Sequence, residues 1–93
     1  MKQYFVTSLF WNGLLGGGLT VDPEGITYHT GKLTVPPEIR KLKLPYGEIS
    51  EYFPQRHLLL PTVLIRLKDG SEYRFLVFAR KRFLQAVDAL KTN

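Results

Sequence analysis

The chain has no cysteine and only two histidines, His29 and His57, which lie in separate segments. Disulfides, thiolate metal ligation and a cysteine nucleophile are therefore all excluded. Neither histidine stands at ligand spacing from a second histidine or a carboxylate. No G-x-S-x-G, H-E-x-x-H or phosphate-loop pattern occurs. Gly16-Gly17-Gly18 lacks the lysine and hydroxyl residue of a phosphate loop, and it leads into a strand pattern rather than a helix. That run is expected to serve backbone freedom and close packing. The residues thus predict no catalysis, no metal and no cofactor.

Binding chemistry is better represented, because 13 Lys and Arg stand against 8 Asp and Glu, a net charge of +5. The excess grows along the chain: residues 1–30 carry −1, residues 31–60 carry +2 and residues 61–93 carry +4. Such a gradient suits phosphate-bearing or otherwise anionic partners. Arg80, Lys81 and Arg82 form the densest cluster. They fall in the first turn of a predicted helix, where the macrodipole disfavours cations and an anion would relieve the cost. Phe78 and Ala79 just ahead of them are poor caps. Solvent screening of the cluster, with long stems shielding apolar surface, is the plainer alternative. Lys41 and Lys43 share one face of a strand, where they either meet a ligand or keep an edge from pairing. Arg56 adds a base beside Leu58-Leu59-Leu60. That loop and the segment holding Trp11, Leu14 and Leu15 either cap the core or expose apolar contact residues.

These side chains need elements to hold them. Tyr4 to Phe10 is predicted as a strand ended by Trp11-Asn12-Gly13. Asp22-Pro23-Glu24-Gly25 is a turn, with Gly25 expected in the left-handed region. Using all four residues as the loop pairs Val21 with Ile26, Thr20 with Thr27 and Leu19 with Tyr28, which keeps apolar residues on one face. A strand from Ile39 to Leu44 and a short one from Ile49 to Phe53, ended by Pro54, come next. In the hairpin from Thr62 to Phe78, a three-residue loop with Gly70 left-handed pairs Arg66 with Glu72, Ile65 with Tyr73 and Val63 with Phe75. Arg66 and Arg74 then face outward. Phe83, Leu84, Val87 and Leu90 recur at helical spacing and predict an amphipathic helix over about residues 80–91.

A single domain spanning 1–93 follows, with about seven strands and then one helix: an antiparallel β-sandwich or partly open barrel on which the helix packs. Gly18-Leu19-Thr20-Val21, Gly25-Ile26-Thr27-Tyr28, Leu44-Pro45-Tyr46-Gly47-Glu48-Ile49, Ile65 to Gly70, Tyr73-Arg74-Phe75 and the closing helix resemble the pleckstrin-homology-like (PH-like) superfold. Within it, they resemble the GRAM and bacterial PH-like families. The resemblance spans residues 16–91 and implies two near-orthogonal antiparallel sheets with a helix plugging one end. It also implies a module that binds lipid or protein rather than catalyses. Members that clamp phosphoinositides carry Lys and Arg between their first two strands. Here Trp11 to Gly18 holds no base, so that clamp is not implied.

The resulting expectation is a basic, non-catalytic binding module for a protein partner or an anionic membrane surface. The alternative is a small nucleic-acid-binding barrel, which the inward placement of Tyr28, Tyr73 and Phe75 disfavours because bases would have nothing to stack on. An edge strand or the Leu58-Leu59-Leu60 loop offers a route to a homo-oligomer. No stretch reaches the ~18–20 apolar residues of a membrane span. The start of the chain lacks a signal-peptide cleavage pattern, so an intracellular, cytoplasmic location with peripheral membrane contact is expected.

Overall fold

The computed structural model describes residues 2–57 and 59–91, with only the backbone of Arg56 and His57. Leu58 and the Arg56 side chain, both singled out above, thus lie outside the described residues. Seven strands form one antiparallel sheet in the order β4-β3-β2-β1-β7-β6-β5. They are β1 (Gln3–Phe10), β2 (Leu14–Val21), β3 (Gly25–His29), β4 (Lys41–Pro45), β5 (Ile49–His57), β6 (Leu60–Leu67) and β7 (Glu72–Val77). A single-turn helix α1 (Pro37–Arg40) precedes β4, and the long helix α2 (Arg80–Lys91) closes the fold. β4 and β5 are the two edges, so the sheet is not closed into a barrel. The two halves join where Thr7, Ser8 and Leu9 of β1 pair with Val77, Leu76 and Phe75 of β7.

Both predicted registers are present. Val21 pairs with Ile26 and Leu19 with Tyr28, while Arg66 pairs with Glu72 and Val63 with Phe75. The second hairpin turns on Gly70 at φ 93°, a conformation that costs glycine no steric penalty. Four local expectations are corrected. Gly25 is not left-handed; it opens β3 because a Cβ there would stand 2.5 Å from the Leu44 carbonyl oxygen. The glycine run lies inside β2 rather than before it, since a Cβ on Gly17 would come within 2.3 Å of the His29 carbonyl oxygen. Ile39 and Arg40 belong to α1, where Pro37 sits in the first turn with its φ already helical. Finally, β5 continues through Pro54 to His57; an edge strand tolerates a residue without an N–H.

The core lies between the sheet and α2. Phe5, Leu9, Leu19, Val21, Ile26, Tyr28, Val63, Ile65, Phe75 and Val77 meet Phe83, Ala86, Val87 and Leu90 there. Phe83 packs edge-on against Phe5, with centroids 5.4 Å apart. Of the predicted helix stripe, Leu84 is only half-buried and Ala86 is buried as well. Tyr28 is fully buried, and its hydroxyl donates to the Leu15 carbonyl at 2.8 Å. That bond satisfies the one polar atom the ring carries inside.

Candidate functional site

Two surfaces carry the bases singled out in the sequence, and they are different surfaces. The first is the start of α2. Here the β5–β6 hairpin and the β7–α2 turn come together. Arg80 Nη1 donates to the carbonyls of Gln55 (3.1 Å) and Thr62 (3.4 Å). Arg80 therefore ties the helix to the β5–β6 hairpin, and its guanidinium is already engaged. The guanidinium of Arg82 lies 5.7 Å from the centroid of the Phe5 ring, within cation–π range. Lys81 is exposed. A cradle of three free cations is thus not what the first turn presents.

What the sequence did not foresee is the apolar company those bases keep. Phe78, two residues ahead of α2, is 72% exposed, and Leu59 at the hairpin tip is 85% exposed. Leu59, Leu60 and Pro61 share a hollow with Arg80. Leu59 also sits at φ 68°, in the left-handed region. A leucine there costs about 1 kcal/mol or more relative to glycine. Leu14 is exposed as well, whereas Trp11 is half-buried and packs on the core. The two apolar segments therefore differ: Trp11 finishes the core and Leu59 leaves it. Phe78 could have been suspected from the chain alone, since a phenylalanine two residues ahead of three bases has no apolar partner at helical spacing.

The second surface is the outward face of β1–β4. Registers across the four strands align Val6, Gly18, His29 and Lys41 in one row, and Tyr4, Thr20, Thr27 and Lys43 in the next. Lys41 and Lys43 are exposed on the edge strand and line a groove of about 710 Å³ with Thr20, Thr27 and His29. Among the described residues, no carboxylate forms an ion pair with Lys41, Lys43 or Lys81. His29 is exposed, and no group of three His, Asp or Glu among the described residues is placed to hold a metal.

A third set of bases is occupied internally. Arg66 on β6 bonds Glu72 at 2.6 Å, pairs with Glu51, and stacks over Phe53. Those carboxylates hold its guanidinium pKa above the usual value, the Glu72 bond contributing most. Arg74 on β7 donates to Gln55 Oε1 at 2.6 Å and lies over Phe10. At the far end of α2 the Tyr52 hydroxyl bonds the Asp88 carboxylate. Burial, reinforced by that carboxylate, pushes the Tyr52 phenol up to about 12. Burial, with Asp22 nearby, does the same for Tyr46, whose hydroxyl donates to the Asp22 carbonyl at 2.7 Å. In the β6–β7 turn, the Ser71 backbone N–H donates to the Asp69 carboxylate at 2.8 Å, the main reason its pKa is held below the usual value.

Comparison with known proteins yields fold and no function. No family model matches the sequence, and no curated protein matches it either. Among solved structures, the chain is similar to the C-terminal domain of an unknown protein from Leishmania infantum. The TM-score is 0.80 at 12% identity, covering 98% of this chain and 83% of that one. The likeness shows the fold alone, which in this chain is an open antiparallel sheet of seven strands with a C-terminal helix. Among the described residues no helix is long and apolar enough to cross a membrane.

Proposed function

We propose that this chain is a non-catalytic, PH-like binding module that attaches reversibly to anionic membrane surfaces through the start of α2. The strand number, the hairpin registers and the single closing helix all support the PH-like reading. The observation that carries the membrane reading is that the exposed Leu59 shares a hollow with Arg80 at the head of the exposed bases Lys81 and Arg82, while Phe78, two residues before Arg80, is exposed as well. Burying Leu59 and Phe78 at the acyl boundary is worth roughly 3–5 kcal/mol together. Two bases near an anionic leaflet add about 1 kcal/mol each. After the costs of immobilisation this is weak, reversible attachment, comparable to that of a single lipid anchor. Arg80 positions the helix against the hairpin and is not a headgroup contact. The nucleic-acid alternative draws less support, because Tyr28 and Phe75 are buried against each other, 5.7 Å apart.

The test is co-sedimentation with phosphatidylglycerol and with phosphatidylcholine vesicles. The parent is expected to sediment with the first and not the second. Lys81→Glu with Arg82→Glu, and separately Leu59→Asp with Phe78→Asp, should each remove sedimentation while leaving the circular dichroism spectrum unchanged. Equal sedimentation of parent and both variants would refute the reading.

A further inference from the structure

The outward face of β1–β4 has a profile that the membrane reading does not use. On β1 it presents Tyr4 and Val6, 67% and 79% exposed. On β2 it presents Gly16, open above, and Gly18, on which the His29 ring rests: a Cβ there would stand 2.9 Å from His29 Cε1. On β3 it presents Thr27 and His29, and on the edge strand β4, Lys43 and Lys41. One hollow of about 360 Å³ lies among Tyr4, Val6, Gly18 and His29. His29 also lines the larger groove that reaches Lys41 and Lys43. An apolar wall, a hollow over β2 bounded by the His29 ring, and a basic wall therefore lie side by side.

We infer that this face seats an amphipathic helix of a partner protein, with an apolar stripe toward Tyr4 and Val6 and an acidic flank toward Lys41 and Lys43. The width sets the occupant. Val6 and Lys41 are separated by three strand spacings, roughly 14 Å. A helix with its side chains is about 10–12 Å across and fills that interval; an extended segment leaves one wall untouched. Pairing along the β4 edge is opposed by its two lysines and by Pro45. Charge selects an acidic flank, because Lys41 and Lys43 have no ion-pair partner among the described residues. The acids lining the larger groove, Asp22 and Glu24, belong to the β2–β3 turn, where the Asp22 carboxylate accepts the backbone N–H groups of Glu24 and Gly25. They close that end of the groove and set the acidic flank toward His29 and Lys41. The α2 of a second copy does not qualify: its apolar stripe is buried in its own core, and its first turn is basic.

Two synthetic helices serve as probes, one with a leucine stripe flanked by glutamates and the other with the same stripe flanked by lysines. In an NMR titration of the full chain, the glutamate helix is expected to shift the amides of Val6, Gly16, Gly18 and His29. The lysine helix should not shift them. Lys41→Glu with Lys43→Glu should weaken the glutamate helix by roughly tenfold or more. Val6→Glu should weaken it too, and all these positions are exposed enough for the melting temperature to hold. Sedimentation with phosphatidylglycerol should survive both changes, which separates this surface from the start of α2. Failure of the glutamate helix to bind, equal binding of the two helices, or shifts confined to the start of α2 would each overturn the inference.

Discussion

Two basic regions of this molecule have opposite fates. On the outward face of β5–β7, Arg66 and Arg74 are answered by Glu51, Glu72 and Gln55 and lie over Phe53 and Phe10. On the same face Leu64 and Leu76, which alternate with the core residues of their strands, are buried as well. At the start of α2, Lys81 and Arg82 meet no carboxylate among the described residues, while Phe78, two residues before the helix, and Leu59, which shares a hollow with Arg80, are exposed. Positive charge by itself therefore does not mark a site. The mark is charge and apolar surface left unsatisfied together.

The contrast can be broken most forcefully on the covered face. Leu64 is 4% exposed, so Leu64→Asp should cost roughly 3 kcal/mol or more by burying an unpaired charge. Phe78→Asp should leave the melting temperature near that of the parent. Similar melting shifts for both would erase the distinction between the two regions.

A smaller effect separates neighbours within the basic cluster. Arg80→Ala removes two bonds to carbonyls and should cost about 1–2 kcal/mol in a denaturant titration. Lys81→Ala should lie within about 0.5 kcal/mol of the parent. Equal costs would mean that Arg80 is not the residue tying α2 to the hairpin.

The far end of the same helix sharpens the comparison through pH. The Tyr52 and Tyr46 phenols ionise near 12 in the folded chain against an ordinary 10.0. Their contribution is thus complete below pH 10 and is lost as pH rises through 12. Thermal melts across that window should show falling stability, with a shallower fall for Tyr52→Phe. Absorbance titration finding every phenol near 10 would count against it. The smallest effect belongs to Arg66: Arg66→Ala should lower the melting temperature slightly at low salt and hardly at all at 1 M salt, where exposed pairs are screened.

Much of this architecture is legible in the chain because side-chain alternation fixes register. Val21 against Ile26 and Arg66 against Glu72 follow from keeping apolar residues on one face. The positions that escape are set by contacts between distant residues. Pro54 reads as a strand end because nothing local says that β5 is an edge. Gly17 and Gly18 are legible as a run for backbone freedom and close packing, but not as part of β2, because the carbonyl and ring of His29 that they pack against lie a strand away. The candidate site is legible in part. Arg80, Lys81 and Arg82 are visible as a cluster, but the carbonyls that claim Arg80 belong to Gln55 and Thr62. Leu59 is visible as part of an apolar run, while its exposure emerges only from the fold.

The central claim is that Phe78 enters a lipid surface whereas Trp11, packed on the core, does not. A Phe78→Trp variant in a Trp11→Phe background reports on the first, and the parent chain reports on the second. Adding phosphatidylglycerol vesicles should shift the emission of the introduced tryptophan to the blue and leave the parent's emission unchanged, with no response from either to phosphatidylcholine. An unshifted signal from the introduced tryptophan in the presence of phosphatidylglycerol would contradict the account.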